Sequence, residues 1–138
     1  MKPLFLTTSE LLEAWWSRAE PHLLPVVNEA ARGEFSIEDL YILCKEKRAT
    51  CVVITEGDIV TLAAVFEFIY YPKITACNVM AMGGSGWDSV AEQFFITFKE
   101  WLYGMGVTVI EASCSSVMSR LLRRYGFAKT YEVVRLSI

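Results

Sequence analysis

The run Ile59–Tyr71 constrains this chain more than any other feature. It is apolar at every position except Thr61 and Glu67. It is too short to cross a bilayer as a helix, which takes about 20 residues. Its β-branched and aromatic side chains favour a strand. The side chains do not alternate between apolar and polar, so such a strand has no face to give to water and must be covered on both sides. The chain therefore needs a sheet with helices packed above and below it. With 138 residues, 54% of them hydrophobic, it has the length and the apolar surface for one such domain.

The rest of the chain reads as the parts of that domain, spanning residues 1–138 without repeat, linker or low-complexity tract. Pro3–Thr7 reads as a first strand. Thr7 to Glu10 fits a capping box with Thr7 as the cap. Leu11, Leu12, Trp15, Trp16 and Ala19 then recur at helical spacing, and Pro21 and Pro25 predict a break into two helical pieces. Ser36 opens a second helix, with Leu40, Tyr41, Leu43 and Cys44 as its apolar stripe. Ala49–Thr55 is a strand, Glu56-Gly57-Asp58 a hairpin turn, and Ile74–Met82 a strand ended by Gly83-Gly84-Ser85-Gly86. Ser89 and Glu92 fit a capping box for a helix that turns Val90, Phe94, Phe95, Phe98, Trp101 and Leu102 inward and stops at Gly104 and Gly106. Val107–Ala112 is a strand. Ser115 or Ser116 caps a last helix, with Val117, Met118, Leu121, Leu122 and Tyr125 inward and Gly126 closing it. Tyr131–Ile138 reads as a final strand, antiparallel to 107–112. The order β-α-α-β-β-β-α-β-α-β implies an α/β fold with a mixed central sheet covered by helices.

Charge and cysteine usage exclude several functions. The net charge is −3, and no dense basic block exists. Arg120, Arg123 and Arg124 read as the solvated face of a helix, so nucleic acid is not an expected partner. No segment reads as a membrane span, and Met1 to Glu10 lacks a signal-peptide pattern. The four cysteines (Cys44, Cys51, Cys77, Cys114) form no CxxC pair and His22 is the one histidine, so no metal site is expected. Reduced thiols in the cytoplasm are the expectation.

The element order and the C-terminal quarter resemble the GNAT (Gcn5-related N-acetyltransferase) superfamily. Its members carry Asn-x-x-Ala-x-x-Leu-Tyr-x-x-x-Gly-Phe between their last two strands. Ser115 to Phe127 lies in that register, with Leu121, Gly126 and Phe127 matching. The family's Asn falls on Ser115. The Tyr that protonates the departing thiolate in many members falls on Leu122, which cannot donate a proton; Tyr125, one turn on, is the substitute acid or else a core-edge aromatic.

The resemblance implies an acetyl-CoA site. Its pantetheine would lie along Val79, Met80, Ala81 and Met82, and Ser115 would flank it. Its diphosphate would sit on backbone N–H groups at the start of the third helix. The family's Gly-rich pattern falls there on Gly86, Ser89 and Ala91, of which Ala91 alone fits, although Gly84 and Gly86 could form an anion nest. Asp88 and Glu92 flank this helix start, and no Lys or Arg occurs between Lys73 and Lys99. Both carboxylates repel a diphosphate, so acetyl-CoA binding is expected to be weak or lost.

Glu67 is the candidate base, and Glu111 presents the same pattern of a carboxylate in an apolar strand. Cys114, beside Ser115 and Ser116, has no basic neighbour to make it a nucleophile. Two functions follow. One is a non-catalytic protein of binding or assembly, similar to compact GNAT-like proteins of bacteriophages, some of them virion-associated. The other is an acetyl-CoA-dependent N-acetyltransferase acting on a primary amine. Four Trp and a mean hydropathy of +0.35 leave room for a protein partner or a homo-oligomer.

Overall fold

A computed structural model describes residues 2–85 and 87–138, Trp87 by its backbone alone. Strand β1 (Lys2–Phe5) leads to helices α1 (Ser9–Ala30) and α2 (Ile37–Lys45). Strands β2 (Thr50–Glu56), β3 (Ile59–Tyr70) and β4 (Thr75–Gly84) follow. Helix α3 (Trp87–Gly104), strand β5 (Val109–Glu111), helix α4 (Ser116–Leu122) and a 3₁₀ turn over Arg123–Tyr125 complete the order. The five strands form one sheet in the order β1-β2-β3-β4-β5. Among the first four each strand is antiparallel to its neighbour, and β5 lies parallel to β4.

The apolar run of β3 is covered on both faces, as its composition demands. Ala63 and Val65 pack with Leu12, Trp16, Leu23 and Leu40 of α1 and α2. Leu62, Ala64 and Phe66 pack on the other face with Phe94, Phe98 and Leu102 of α3. From Leu62 onward the period of two along the strand assigns each residue to one cluster or the other; a register shift at Thr61 puts Val60 on the same side as Ala63 and Val65. The hairpin between β2 and β3 pairs Glu56 with Ile59 across Gly57, whose φ of +64° suits the first central position of a tight turn.

Helix α1 is one continuous element, where the prolines predict two pieces. Leu12, Trp16, Ala19, Leu23 and Val27 keep a single buried stripe through Pro21 and Pro25. A helix-interior proline costs about 3 kcal/mol. Burial of this stripe offsets that cost, as does the 2.7 Å hydrogen bond that His22 Nε2–H donates to the Val60 carbonyl. The cap of α1 is Thr8 rather than Thr7: its Oγ1 accepts from Leu11 N at 3.2 Å. Helix α2 has the expected capping box, Ser36 and Asp39 bonding each other's backbone N–H.

Five further expectations are corrected. Helix α3 is already under way at Trp87, so Ser89 lies in its first turn and is not its cap. Gly83 and Gly84 belong to β4 instead of ending it. A Cβ on Gly83 would lie 2.3 Å from the His22 carbonyl oxygen, and one on Gly84 would lie 2.4 Å from that of Thr61. Both glycines are there because α1 and β3 come too close for any side chain. Helix α4 buries Leu122 but leaves Val117 and Met118 exposed. Finally, residues 131–138 form no strand and lie exposed. Arg135 is drawn into an ion pair with Glu34 in the α1–α2 connection. Strand β5, at three residues, also offers a shorter edge than the 107–112 expected.

The end of α4 matches the sequence reading. Ser115 Oγ caps the helix by accepting from Met118 N at 3.2 Å. Gly126 takes φ +94°, where a side chain would be strained. Phe127 then turns back onto the α3 cluster, its ring centroid 5.4 Å from that of Phe95.

Candidate functional site

The last β4–β5 pair is Asn78 with Glu111, and beyond it the two strands part. Strand β4 continues through Val79–Gly84, paired with β3 alone among the described residues. Its opposite edge carries backbone N–H and C=O groups that no described strand takes up. One cause of the parting lies in the register. Val65 faces Ala81 while Phe66 faces Val79, so Met80 is an extra residue, a bulge in β4. Such bulges bend and twist the strand that carries them.

A polar row crosses the sheet where the strands part. Glu67 of β3 is the partner of Asn78, and Asn78 the partner of Glu111, so the three side chains stand on one face. Asn78 Nδ2 donates to Glu67 Oε2 at 2.9 Å. Tyr71 OH donates to Glu111 Oε1 at 2.7 Å. That bond holds the Tyr71 phenol above its ordinary pKa, because ionisation would set two anions against each other. Glu67 and Glu111 are each half-buried. Beyond the start of β2, Glu67 also borders a concavity of about 270 Å³ with Lys47, Arg48 and Thr50. Chemically, the row is two carboxylates held by an amide and a phenol, an arrangement that attracts a cationic group.

The structure brings some of the expected residues together and separates others. Val79, Met80, Ala81 and Met82 lie on the unpaired edge of β4, adjoining the polar row. Val79 and Met82 turn their side chains to the α3 cluster and Met80 to the α1–α2 cluster. Ala81 is buried. Gly84 is one strand residue further along. Gly86 lies outside the described residues. Ser89 and Asp88 are exposed in the first turn of α3, and Glu92 is exposed one turn later, while Ala91 is fully buried against the sheet. Ser115 spends its hydroxyl on the α4 cap. Leu122 is 5% exposed in the α3 cluster. Tyr125 packs its ring 5.3 Å from Phe95, on the α3 side of the sheet, whereas Glu67 stands on the α1–α2 side. Asn78 and Tyr71 are missed by the sequence reading. Neither carries a motif, and only the strand register places them beside the two glutamates.

The four cysteines are free thiols. Burial pushes Cys44 and Cys77 up to about 12 and drives Cys51 well above the ordinary thiol value. Cys114 is exposed, and partial desolvation raises it too, which suits no nucleophile. With a disulfide-exchange reagent at pH 8, Cys114 should react readily in the native protein and the other three only on unfolding. Rapid native reaction of a second thiol would contradict the burial.

No protein-family model and no curated protein sequence matches the chain. Solved structures do. A ribosomal-protein-alanine N-acetyltransferase from Brucella melitensis biovar Abortus 2308 superposes with a TM-score of 0.70 at 10% identity, covering 100% of both chains. An aminoglycoside 6′-N-acetyltransferase from Acinetobacter haemolyticus gives 0.67 at 16% identity, covering 100% of this chain and 98% of that one. A predicted acetyltransferase from Clostridium acetobutylicum, solved with acetyl-CoA, gives 0.58 at 14% identity over 73% of this chain and 71% of that one. At such identities the likeness is one of architecture. Together with the mixed sheet, the parting of β4 from β5 and the helices on both faces, it shows that this chain has the fold of the GNAT acetyltransferases.

Proposed function

We propose that this chain is a GNAT-fold protein of binding or assembly that no longer transfers acetyl groups from CoA. The observation that carries this reading is Leu122. It occupies the position of the family's proton donor, and its side chain is a buried part of the α3 cluster. A departing CoA thiolate would find no acid there. The start of α3 supports the same reading. Asp88 lies in the first turn, where a helix end favours an anion by only about 0.3–1 kcal/mol at an exposed site. A diphosphate placed there would meet that carboxylate with no Lys or Arg between residues 73 and 99 to offset it. The resemblance to compact phage proteins makes a virion-associated role the concrete form of this proposal.

A second reading is favoured by the polar row. Glu67, held by Asn78, adjoins the open edge of β4 along which a pantetheine would run. In an active N-acetyltransferase Glu67 would take the proton of a primary amine, and Tyr125 would have to serve as the acid.

Calorimetric titration with acetyl-CoA at low ionic strength separates the two, since charge repulsion is then least screened. The expected result is no saturable binding in the micromolar range. A dissociation constant in the low micromolar range or tighter would sink the binding-protein reading and put the enzyme in its place.

A further inference from the structure

We propose that the notch between the end of α2 and the end of β3 binds a free amino acid with an aromatic side chain. Lys47 and Arg48 take its carboxylate and Glu67 its ammonium group, while Phe66, Phe68 and Tyr70 flank its ring. The site is on the β2 side of β3. The proposal does not depend on whether the chain handles CoA.

The notch follows from unequal strands. Thr50 of β2 pairs with Phe66, and β3 runs on from there to Tyr70. Over Glu67–Tyr70 it is paired with β4 alone among the described residues. The chain entering β2 stands off from this stretch and leaves the concavity of about 270 Å³. Residues 47–50 line one side of it, and Phe66, Glu67, Phe68 and Tyr70 the other. Pockets for drug-sized ligands begin at about 300 Å³, so a single amino acid is near the upper limit here.

The alternation of β3 sorts the lining. Phe66 and Phe68 turn to the α3 face, and Tyr70 follows two positions on. Glu67 stands on the opposite face, the side on which the chain leaves α2 through Lys47 and Arg48. A ligand seated across the notch meets opposite charges at one end and rings at the other. A simple carboxylate would meet Glu67 as well, and a simple amine would meet two cations. A zwitterion with an aromatic body satisfies every group.

These charges are not consumed within the chain. Glu67 accepts one hydrogen bond, at Oε2 from Asn78. Arg48 lies 3.6 Å from Glu46, but both side chains are more than half exposed, and such a pair contributes little. Lys47 makes no ion pair among the described residues. Its backbone is the further sign. Arg48 N–H donates to the Leu43 carbonyl at 2.9 Å and Lys47 N–H to that of Cys44 at 3.1 Å, the paired bonds of a Schellman helix end. Lys47 therefore holds the left-handed position, φ +62°, where glycine is usual and a Cβ is strained. Its charge suits the negative end of α2, yet Lys45 in the last turn already supplies that. A ligand carboxylate gives the strained lysine a partner.

The full chain, without CoA, is titrated with L-phenylalanine and followed by amide chemical shifts and calorimetry. The expected result is saturable binding with a dissociation constant of about 1 mM or below, with shifts at Arg48, Glu67 and Phe68. Phenethylamine, which lacks the carboxylate, and 3-phenylpropionate, which lacks the ammonium group, should each bind at least about tenfold more weakly. Lys47→Gly should weaken L-phenylalanine binding by about tenfold and unfold at the same urea concentration as the parent or a higher one. Loss of binding in that variant then reports the missing ammonium group and not a misfolded chain. Glu67→Gln, which keeps the shape and removes the charge, should weaken binding to a similar extent. Three results would overturn the proposal: no saturable binding of L-phenylalanine up to about 10 mM, equal binding of either singly charged analogue, or unchanged binding in both variants.

Discussion

Gly83→Ala should destabilise the protein by about 3 kcal/mol or more, at the upper end of what overpacking does. The added Cβ would lie 2.3 Å from the His22 carbonyl oxygen and 2.8 Å from Val26 Cγ2. Val26 could rotate aside. The carbonyl cannot, because it is helix backbone, and the helix is pinned at that residue by the His22–Val60 hydrogen bond. Relief requires lifting α1 off the sheet, which uncovers Leu23 and Val27. Gly104→Ala is the control: it lies at the end of α3, and its Cβ would meet nothing within 4 Å. Urea denaturation should show that control within about 1 kcal/mol of the parent. A loss below about 1 kcal/mol for Gly83→Ala would mean that α1 is not seated as described.

Phe98→Ala should cost about 3–5 kcal/mol, the range for removing a buried phenylalanine. Phe98 is 1% exposed, and its ring centroid lies 5.1 Å from Phe66 and 5.2 Å from Phe94. Phe5 closes the group at 6.3 Å. Three aromatic neighbours on three different elements cannot all close in on the space left behind, so the cavity persists. Tyr103→Ala, on an exposed turn of the same helix, should change stability by no more than about 0.5 kcal/mol. Equal midpoints for the two variants would show that the α3 cluster is not the packed core described.

The architecture was legible wherever a local pattern determines the outcome. The apolar run of β3 demanded two covered faces and has them. The stripe of α3, the α2 capping box and the Gly126 closure were each readable because their partners lie within a few residues. Errors arose where a distant contact overrides local preference. Pro21 and Pro25 argue for a break, yet the stripe on either side of them packs on one sheet, and burial outweighs the two lost hydrogen bonds. Gly83 and Gly84 look like a loop because sequence alone does not show a helix and a strand pressed against them. Tyr131–Ile138 has strand composition, but composition does not say what it pairs with.

The polar row was legible only in its parts. Glu67 and Glu111 stand out as carboxylates in apolar strands. That they share a face, with Asn78 between them, depends on two registers and a bulge at Met80, and no spacing along the chain encodes those. Tyr71 joins them from the hairpin tip after β3, adjacent in space to a residue forty positions away.

The division of the interior by the sheet has a consequence for divergence. Along β2 and β3 each strand residue answers to one cluster, so a change on the α3 side is not felt by the packing of α1 and α2. What selection must preserve is the alternation, an apolar side chain of suitable volume at every second position, and not the identity of any of them. Such a requirement is met by a very large number of sequences. The two sides can then drift separately, which is how a shared architecture can outlast nearly all shared residues, down to the 10–16% identity seen with the acetyltransferases above. A chemistry carried by a few polar side chains on one face has no comparable protection, since losing it leaves the scaffold intact.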